Sequence, residues 1–247
     1  MRLDQYLVKH QYLKSRSQAT DYIKRGLISI NDKVVLKPNH QIKDDDLIKI
    51  NQKIEFVSRA GEKLYYALET FNISLKDKIV IDVGSSTGGF TDCSLKMGAK
   101  LVYAYDVGSN QMEKNLRLNP NIKLFEQTNF LHVEIPDANV CLIDVSFTSI
   151  LPILKHLQSF NQEIIALIKP QFEVGKQKFR GVVKNKKLLK HTLTHVLNEI
   201  HQLGFHMINI NKAHIKGKKG NQEYVLYINN QMKSNDKIME KIGDMLC

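Results

Sequence analysis

Three charged side chains stand where a strand would hand them to a ligand: Asp106 ends the apolar stretch 101–106, Asp144 ends 139–144, and Lys169 follows 163–168. A fourth strand end, Ile79-Val80-Ile81-Asp82-Val83, runs into Gly84-Ser85-Ser86-Thr87-Gly88-Gly89-Phe90-Thr91, a glycine-rich turn opening a helix. Such a turn binds a nucleoside cofactor. Dinucleotide sites use G-x-G-x-x-G, whose second glycine lets the backbone approach a pyrophosphate. Here that position is Ser86. A nucleoside cofactor without a pyrophosphate fits better, and S-adenosylmethionine (SAM) is the candidate, with Gly84, Gly88 and Gly89 expected to clear space for its methionine and ribose parts. Asp106 lies ~20 residues beyond the turn, from where an acidic side chain accepts hydrogen bonds from ribose hydroxyls. Ribose is common to NAD and SAM, so Asp106 supports a nucleoside without choosing between them; the alternative is a strand-end turn former. Asp144 taken alone would cap the next helix. Lys169 precedes Pro170, so its backbone is extended and its side chain is delivered to the ligand edge. A lysine held in a partly desolvated cleft beside another cation can lose its proton near neutrality. That would supply a base.

These residues meet only if strands hold them along one edge. A helix at about 60–71 precedes apolar strands at 78–83, 101–106, 122–126, 139–144 and 163–168, most of them spaced to admit a crossover helix. The alternation predicts an α/β fold with a doubly wound, Rossmann-like parallel sheet, completed by strands near 206–210 and 223–228 after a long helix at about 185–203. Ligands of such sheets lie beyond the carboxyl ends of the strands, which lines up Gly84, Asp106, Asp144 and Lys169. Residues 1–50 have a different rhythm. An apolar stripe at Leu3, Tyr6 and Leu7 is followed by a helix from Ser15 or Ser17 to Lys24, ended by Gly26, then strands at Leu27–Ile30, Lys33–Val35 and Leu47–Ile50. This predicts a small α+β domain over 1–50, a linker over 51–60 and the larger domain over 61–247.

The chain has 247 residues, 43% of them hydrophobic, enough for a sizeable core, and a formal charge of +11. That charge points to an anionic partner such as nucleic acid or a membrane surface. Residues 1–60 carry +5 of it. Lys9, Lys14, Arg16, Lys24 and Arg25 cluster on and after the second helix, where they could meet phosphates or form an ordinary solvated face. Cys93, Cys141 and Cys247 match neither a disulfide framework nor a C-x-x-C metal site, so a reduced, cytoplasmic location is expected. The N-terminus has no apolar signal region, and no run approaches the ~18–20 apolar residues of a membrane span.

Arg2-Leu3-Asp4, Ser15-Arg16-Ser17-Gln18-Ala19, Ile23-Lys24-Arg25-Gly26, Ile30-Asn31 and Lys37-Pro38, with the acidic turn before Leu47-Ile48, closely resemble the small RNA-binding domain named after ribosomal protein S four. The resemblance implies RNA contacts from Arg2, Lys14, Arg16, Lys24 and Arg25. Ser58-Arg59-Ala60-Gly61-Glu62-Lys63-Leu64, the glycine turn, Asp144-Val145-Ser146-Phe147, Leu167-Ile168-Lys169-Pro170-Gln171-Phe172-Glu173, Gly181-Val182-Val183 and Ile215-Lys216-Gly217 through Asn221-Gln222-Glu223 resemble, in order, the TlyA (hemolysin A) family. That family joins the same RNA-binding domain to an FtsJ-like methyltransferase. The resemblance implies a catalytic Lys-Asp-Lys-Glu tetrad at Lys63, Asp144, Lys169 and Glu223, with Lys169 as the base. Lys63 would help Lys169 lose its proton and help orient the ribose, and Asp144 and Glu223 would position the lysines and keep the two cations from expelling each other. It implies SAM held by Asp82, Gly84, Ser85, Ser86, Thr87, Gly88, Gly89, Phe90, Asp106 and Asn129, no metal, and a ribosomal RNA substrate methylated at a cytidine 2′-hydroxyl on one or both subunits.

The chain departs from the family at Ser109-Asn110, where Tyr-Gly is usual, and at Gln127, where Arg is common. A second basic run comprises Lys176, Lys178, Arg180, Lys184, Lys186, Lys187 and Lys190, which would be an RNA-guiding wall or a solvated helix face. His191 and His195 have helical i,i+4 spacing but no HExxH glutamate, so a zinc site is not expected. Three other functions compete with the methyltransferase: a NAD-dependent oxidoreductase, disfavoured by Ser86; a noncatalytic RNA-binding ribosome assembly factor, which has no need of both lysines and both carboxylates; and a membrane-lytic protein, which lacks a signal, a span or a lytic helix.

Overall fold

A computed structural model describes residues 1–13, 15–51, 55–174 and 181–246. The chain divides into two compact units, Met1–Glu55 and Phe56–Cys247.

In the first unit, α1 (Leu3–Lys9) and α2 (Arg16–Lys24) cover a three-stranded antiparallel sheet, order β2-β1-β3, of β1 (Ile28–Ile30), β2 (Lys33–Val34) and β3 (Ile48–Ile50). The Ser15 side chain accepts a hydrogen bond from the Gln18 amide at 3.2 Å and so caps α2. Asn31 and Asp32, both at positive φ (50° and 62°), make the two-residue turn whose twist suits a hairpin between β1 and β2. Leu3, Leu7, Ala19, Ile23 and Ile28 are fully buried between helices and sheet.

The second unit contains α3 (Arg59–Phe71), β4 (Ile79–Val83), α4 (Gly89–Lys96), β5 (Leu101–Tyr105), α5 (Lys114–Arg117), β6 (Ile122–Phe125), β7 (Val140–Ile143), α6 (Leu151–His156), β8 (Glu163–Ile168), α7 (Pro170–Glu173), α8 (Lys186–Gln202), β9 (Met207–Lys212), β10 (Tyr224–Asn229) and α9 (Ile238–Leu246). Its seven-stranded sheet has the order β6-β5-β4-β7-β8-β10-β9. The neighbours from β6 to β8 pair in parallel. Strands β7 and β8 are near-continuous apolar runs because they are covered on both faces.

The sheet is not parallel throughout, in contrast to the sequence expectation: β10 is antiparallel to both β8 and β9. Only residues 213–223 join β9 to β10, with no helix among them, and a parallel return would need a crossover of a dozen or more residues. Of the stretch 51–60, residues 52–54 lie outside the described residues; Phe56 is 4% exposed, and the Val57 amide donates to Asp92 Oδ2 at 2.8 Å.

Candidate active site

The strand order reverses beside β4, from which β5 and β6 run one way and β7 and β8 the other. A crevice opens at such a switch point, beyond the carboxyl ends of the strands. Here it is a cavity of about 620 Å³, lined among others by Gly84, Ser86, Asp106, Asn129, Asp144 and Phe147.

The glycine turn is held from behind. The Gly84 and Ser85 amides donate to the Tyr105 carbonyl at 2.9 and 3.0 Å. Asp106 accepts from the Ser86 amide (2.8 Å) and from the Gly108 amide (2.7 Å). Each carboxylate oxygen keeps a second acceptor direction, so Asp106 can fix the turn and still receive a ribose hydroxyl. Ser86, in place of the dinucleotide glycine, adopts a left-handed backbone (φ 46°), and its hydroxyl donates to Gln111 Oε1 at 3.1 Å. The Asn129 side chain accepts from the Leu131 amide and caps the short helix Phe130–His132 on the cavity wall.

The glycines clear space for the protein's own packing. A Cβ on Gly84 (φ +88°) would meet the Asp144 carbonyl oxygen at 2.8 Å, one on Gly88 would meet Leu116 Cδ1 at 2.5 Å, and one on Gly89 would meet Ala60 Cβ at 2.8 Å. Gly89 thus brings α4 against the start of α3. Asp82, Ser85, Thr87, Gly88, Gly89 and Phe90 are not among the cavity-lining residues. Asp82 lies fully buried behind the turn and accepts from the Thr91 hydroxyl at 2.6 Å. Burial, reinforced by the nearby carboxylates Asp144 and Asp106 and opposed by the Thr91 hydrogen bond, pushes the Asp82 carboxyl up to about 7.

Lys63, Asp144, Lys169 and Glu223 come together as two ion pairs. Lys169 Nζ stands 2.7 Å from Asp144 Oδ1 and donates to Ser146 Oγ at 3.0 Å. Lys63 Nζ donates to Glu223 Oε2 at 2.5 Å. Lys63, Lys169 and Glu223 are 8%, 7% and 3% exposed, so each charge has its counter-charge where water cannot supply one. The strands bearing the groups are neighbours: Asp144 follows β7, Lys169 follows β8, and Glu223 precedes β10, whose Tyr224 is in register with Ile168. Because β10 is antiparallel, it delivers Glu223 from its amino end to the edge where β7 and β8 deliver groups from their carboxyl ends. A Cβ on Gly217 would lie 2.3 Å from Glu223 Oε1, so this glycine makes room for the carboxylate.

Ser146 and Gly217 stood in the sequence motifs without a role; only their contacts reveal one. Phe147 is 91% exposed at the cavity rim with φ 68°, a backbone that bulky side chains rarely tolerate and that clusters at functional sites. The family departures lie beside the cavity-lining residues Gly108, Gln111 and Thr128 in the chain. Asn110 and Gln127 both take left-handed backbones, and the Gln127 amide donates to the Gly108 carbonyl at 2.9 Å.

Within the first unit, Asp4 organises two of the expected RNA-contacting cations. It is 2% exposed and accepts from Arg2 (3.0 and 3.1 Å) and from Arg16 (2.9 Å). Burial raises its carboxyl, but the hydrogen bonds and charges of Arg2 and Arg16 prevail and hold it below the ordinary value. Lys24 is exposed, Arg25 pairs with Asp21 at 3.3 Å, and Lys14 lies outside the described residues. In the second basic run Lys184, Lys186, Lys187 and Lys190 are exposed, while Lys176, Lys178 and Arg180 lie outside the described residues. Among the described residues no group of three or more His, Cys, Asp or Glu is placed to hold a metal, and no helix is long and apolar enough to cross a membrane.

The FtsJ-like methyltransferase family model matches residues 56–230, and the S4 domain model matches residues 1–48. Hemolysin A of Brachyspira hyodysenteriae is 42% identical over 92% of this chain and 99% of its own length. The 16S/23S rRNA (cytidine-2′-O)-methyltransferase TlyA of Mycobacterium tuberculosis (strain CDC 1551 / Oshkosh) is 35% identical over 93% of this chain and 90% of its own. The chain belongs to the TlyA family of FtsJ-like methyltransferases. A solved structure of a candidate hemolysin from Streptococcus thermophilus matches with a TM-score of 0.73 and 34% identity, covering 99% of this chain and 95% of that one. The cofactor of this TlyA-family enzyme is SAM, and the residues present fit it. Asp106 offers acceptors for ribose hydroxyls, Tyr105, Phe130 and Ile153 offer apolar surface for an adenine, and Ser86 stands where a pyrophosphate site has its second glycine.

Proposed function

We propose that this protein methylates the 2′-hydroxyl of a cytidine ribose in ribosomal RNA, with Lys169 accepting the proton. The observation that carries the reading is the pair of buried ion pairs on adjacent strand ends, one of which, through Asp144, lines the cofactor cavity. The relatives named as rRNA (cytidine-2′-O)-methyltransferases support the substrate.

Bound SAM supplies a methyl group already activated by its sulfonium. What remains for the protein is to hold a weakly acidic hydroxyl in line and to take its proton. Lys169 stands between Asp144 and Ser146, so its amine is held in one position. In the resting ion pair Lys169 is an ammonium, so it first gives up a proton to solvent. The neutral amine then takes the hydroxyl proton as the methyl group is transferred, and the ammonium that re-forms pairs again with the Asp144 carboxylate. Glu223 neutralises Lys63, which leaves that lysine free to orient the ribose without repelling Lys169. Residues 1–50 bind structured RNA through Arg2, Lys14, Arg16, Lys24 and Arg25, the unit that begins at Phe56 carries the chemistry, so that the connector is shorter than 51–60, and the site of action is the cytoplasm.

The test is to incubate the protein with labelled SAM and ribosomal subunits from cells lacking it, then map the modified ribose. Label on a cytidine 2′-oxygen, lost in a folded Lys169→Ala variant, is the expected result. Wild-type transfer by that variant overturns the assignment of the base. Tight RNA binding with neither transfer nor SAM affinity overturns the enzyme in favour of an assembly factor.

A further inference from the structure

A second cavity, of about 320 Å³, opens between α3 and the β9–β10 hairpin at the other end of the ionic row from the cofactor cavity. Its lining includes Lys63, Tyr66, Thr70, Asn211, Lys212 and His214. The Tyr66 and His214 rings stack with centroids 3.7 Å apart and planes at 28°. This stack lies at the surface, with Tyr66 38% exposed and His214 exposed. Tyr66 also meets Tyr65 edge-on with centroids 5.5 Å apart, and the stacked pair keeps exposed ring surface beside the concavity. Lys212 lines the same cavity, and it and Lys216, Lys218 and Lys219, in the segment that follows β9 and carries His214, are all exposed. The strip is fastened to α3 where Arg59 Nη2 donates to the Lys216 carbonyl at 2.6 Å.

Flat aromatic surface interleaved with cations is the chemistry that holds an unpaired nucleotide: the rings stack a base, and the lysines meet its phosphates. A purely apolar ligand would leave the lysines without purpose, and a free anion would leave the rings without purpose. The place of the cavity selects the nucleotide. Lys63 contributes to its lining and also pairs with Glu223, which adjoins the β10 residue in register with the one before Lys169. The cavity therefore shares Lys63 with the ionic row that contains Lys169. We infer that the Tyr66–His214 stack is a platform for an unpaired base next to the methylated nucleotide, so that the enzyme requires a single-stranded target flank. The inference rests on the proposed RNA 2′-O-methylation.

The test uses the full-length protein and a ribosomal RNA fragment containing the mapped site. Equilibrium affinity for RNA is measured without methyl transfer, and KM and kcat are measured with it, for the wild type, Tyr66→Ala, Tyr66→Phe and His214→Ala. Loss of one base–aromatic stack weakens RNA binding roughly 5- to 150-fold. Tyr66→Ala and His214→Ala are expected to show that loss in RNA affinity and in KM for RNA, with SAM affinity unchanged. Tyr66→Phe keeps the ring and is expected to bind RNA as the wild type does. Unchanged RNA affinity in both alanine variants, or a Tyr66→Phe defect as large as that of Tyr66→Ala, overturns the platform. Absence of methyl transfer by the wild type overturns the proposed function instead, and the affinity comparison still decides whether the stack contacts RNA.

Discussion

Asp82 is the buried acid whose charge the fold suppresses most plainly, and replacing it with Asn isolates that effect. Asn keeps an oxygen to accept from Thr91 but cannot ionise. In the folded protein the Asp82 carboxyl lies at about 7, against 3.8 for the ordinary group, chiefly because burial disfavours the charged form. Between those two values the folded chain holds a proton that the unfolded chain has released. Stability contributed by the neutral acid is therefore complete below about pH 4 and drains away as pH rises towards 7. Each pH unit in that window is worth about 1.4 kcal/mol, and the whole shift about 4 kcal/mol. Urea unfolding of wild type and Asp82→Asn at several values from about pH 5 to 9 reads the difference directly, because every other titrating group is common to both. The variant is expected to gain on the wild type up to about pH 7 and to keep a constant advantage above it. A stability difference that stays flat across that range would refute the reasoning.

Further outcomes follow from packing and charge. Gly89→Ala places a methyl group against Ala60 Cβ and the Gly61 amide, so it should destabilise the protein by ~1–3 kcal/mol in thermal or urea unfolding, and an unchanged midpoint would contradict the contact. Lys63→Ala strands the Glu223 carboxylate in a buried site and should cost ~3–5 kcal/mol at neutral pH; the double change with Glu223→Gln should recover a large part of that loss in a double-mutant cycle. RNA affinity should fall steeply and linearly on a log–log plot against salt, with a shallower slope once Arg2 and Arg16 are replaced, and a salt-independent affinity would exclude phosphate contacts by these cations.

Much of the ligand edge was legible because a strand end is a local event. Apolar runs terminated by Gly84, Asp106, Asp144 and Lys169 announce themselves within a few residues, and all but Lys169 line the cavity directly. Lys63 and Glu223 were not legible in that way: they meet across 160 positions of chain, and only family resemblance pointed to them. Strand direction was hidden for a related reason. A buried antiparallel strand and a buried parallel one carry the same apolar pattern, and only the short 213–223 connection distinguishes β10. Glycine is ambiguous in another sense. Its presence says that a Cβ is unwelcome, and the structure shows that what excludes it at Gly84, Gly88 and Gly89 is protein rather than ligand.

The reversed strand β10 also bears on when the enzyme can first work. Glu223 arrives late in the chain, while its partner Lys63 is carried by the opening helix of the same unit. A ribosome that has synthesised the cofactor turn, Asp144 and Lys169 has therefore made an enzyme whose first lysine still lacks its counter-ion. The ionic row closes only when β10, the second arm of the final hairpin, has paired with β8, a long-range pairing of the kind that forms slowly. On the proposed mechanism, a chain without β10 lacks the counter-charge of Lys63, so methylation reports that the last strand has docked.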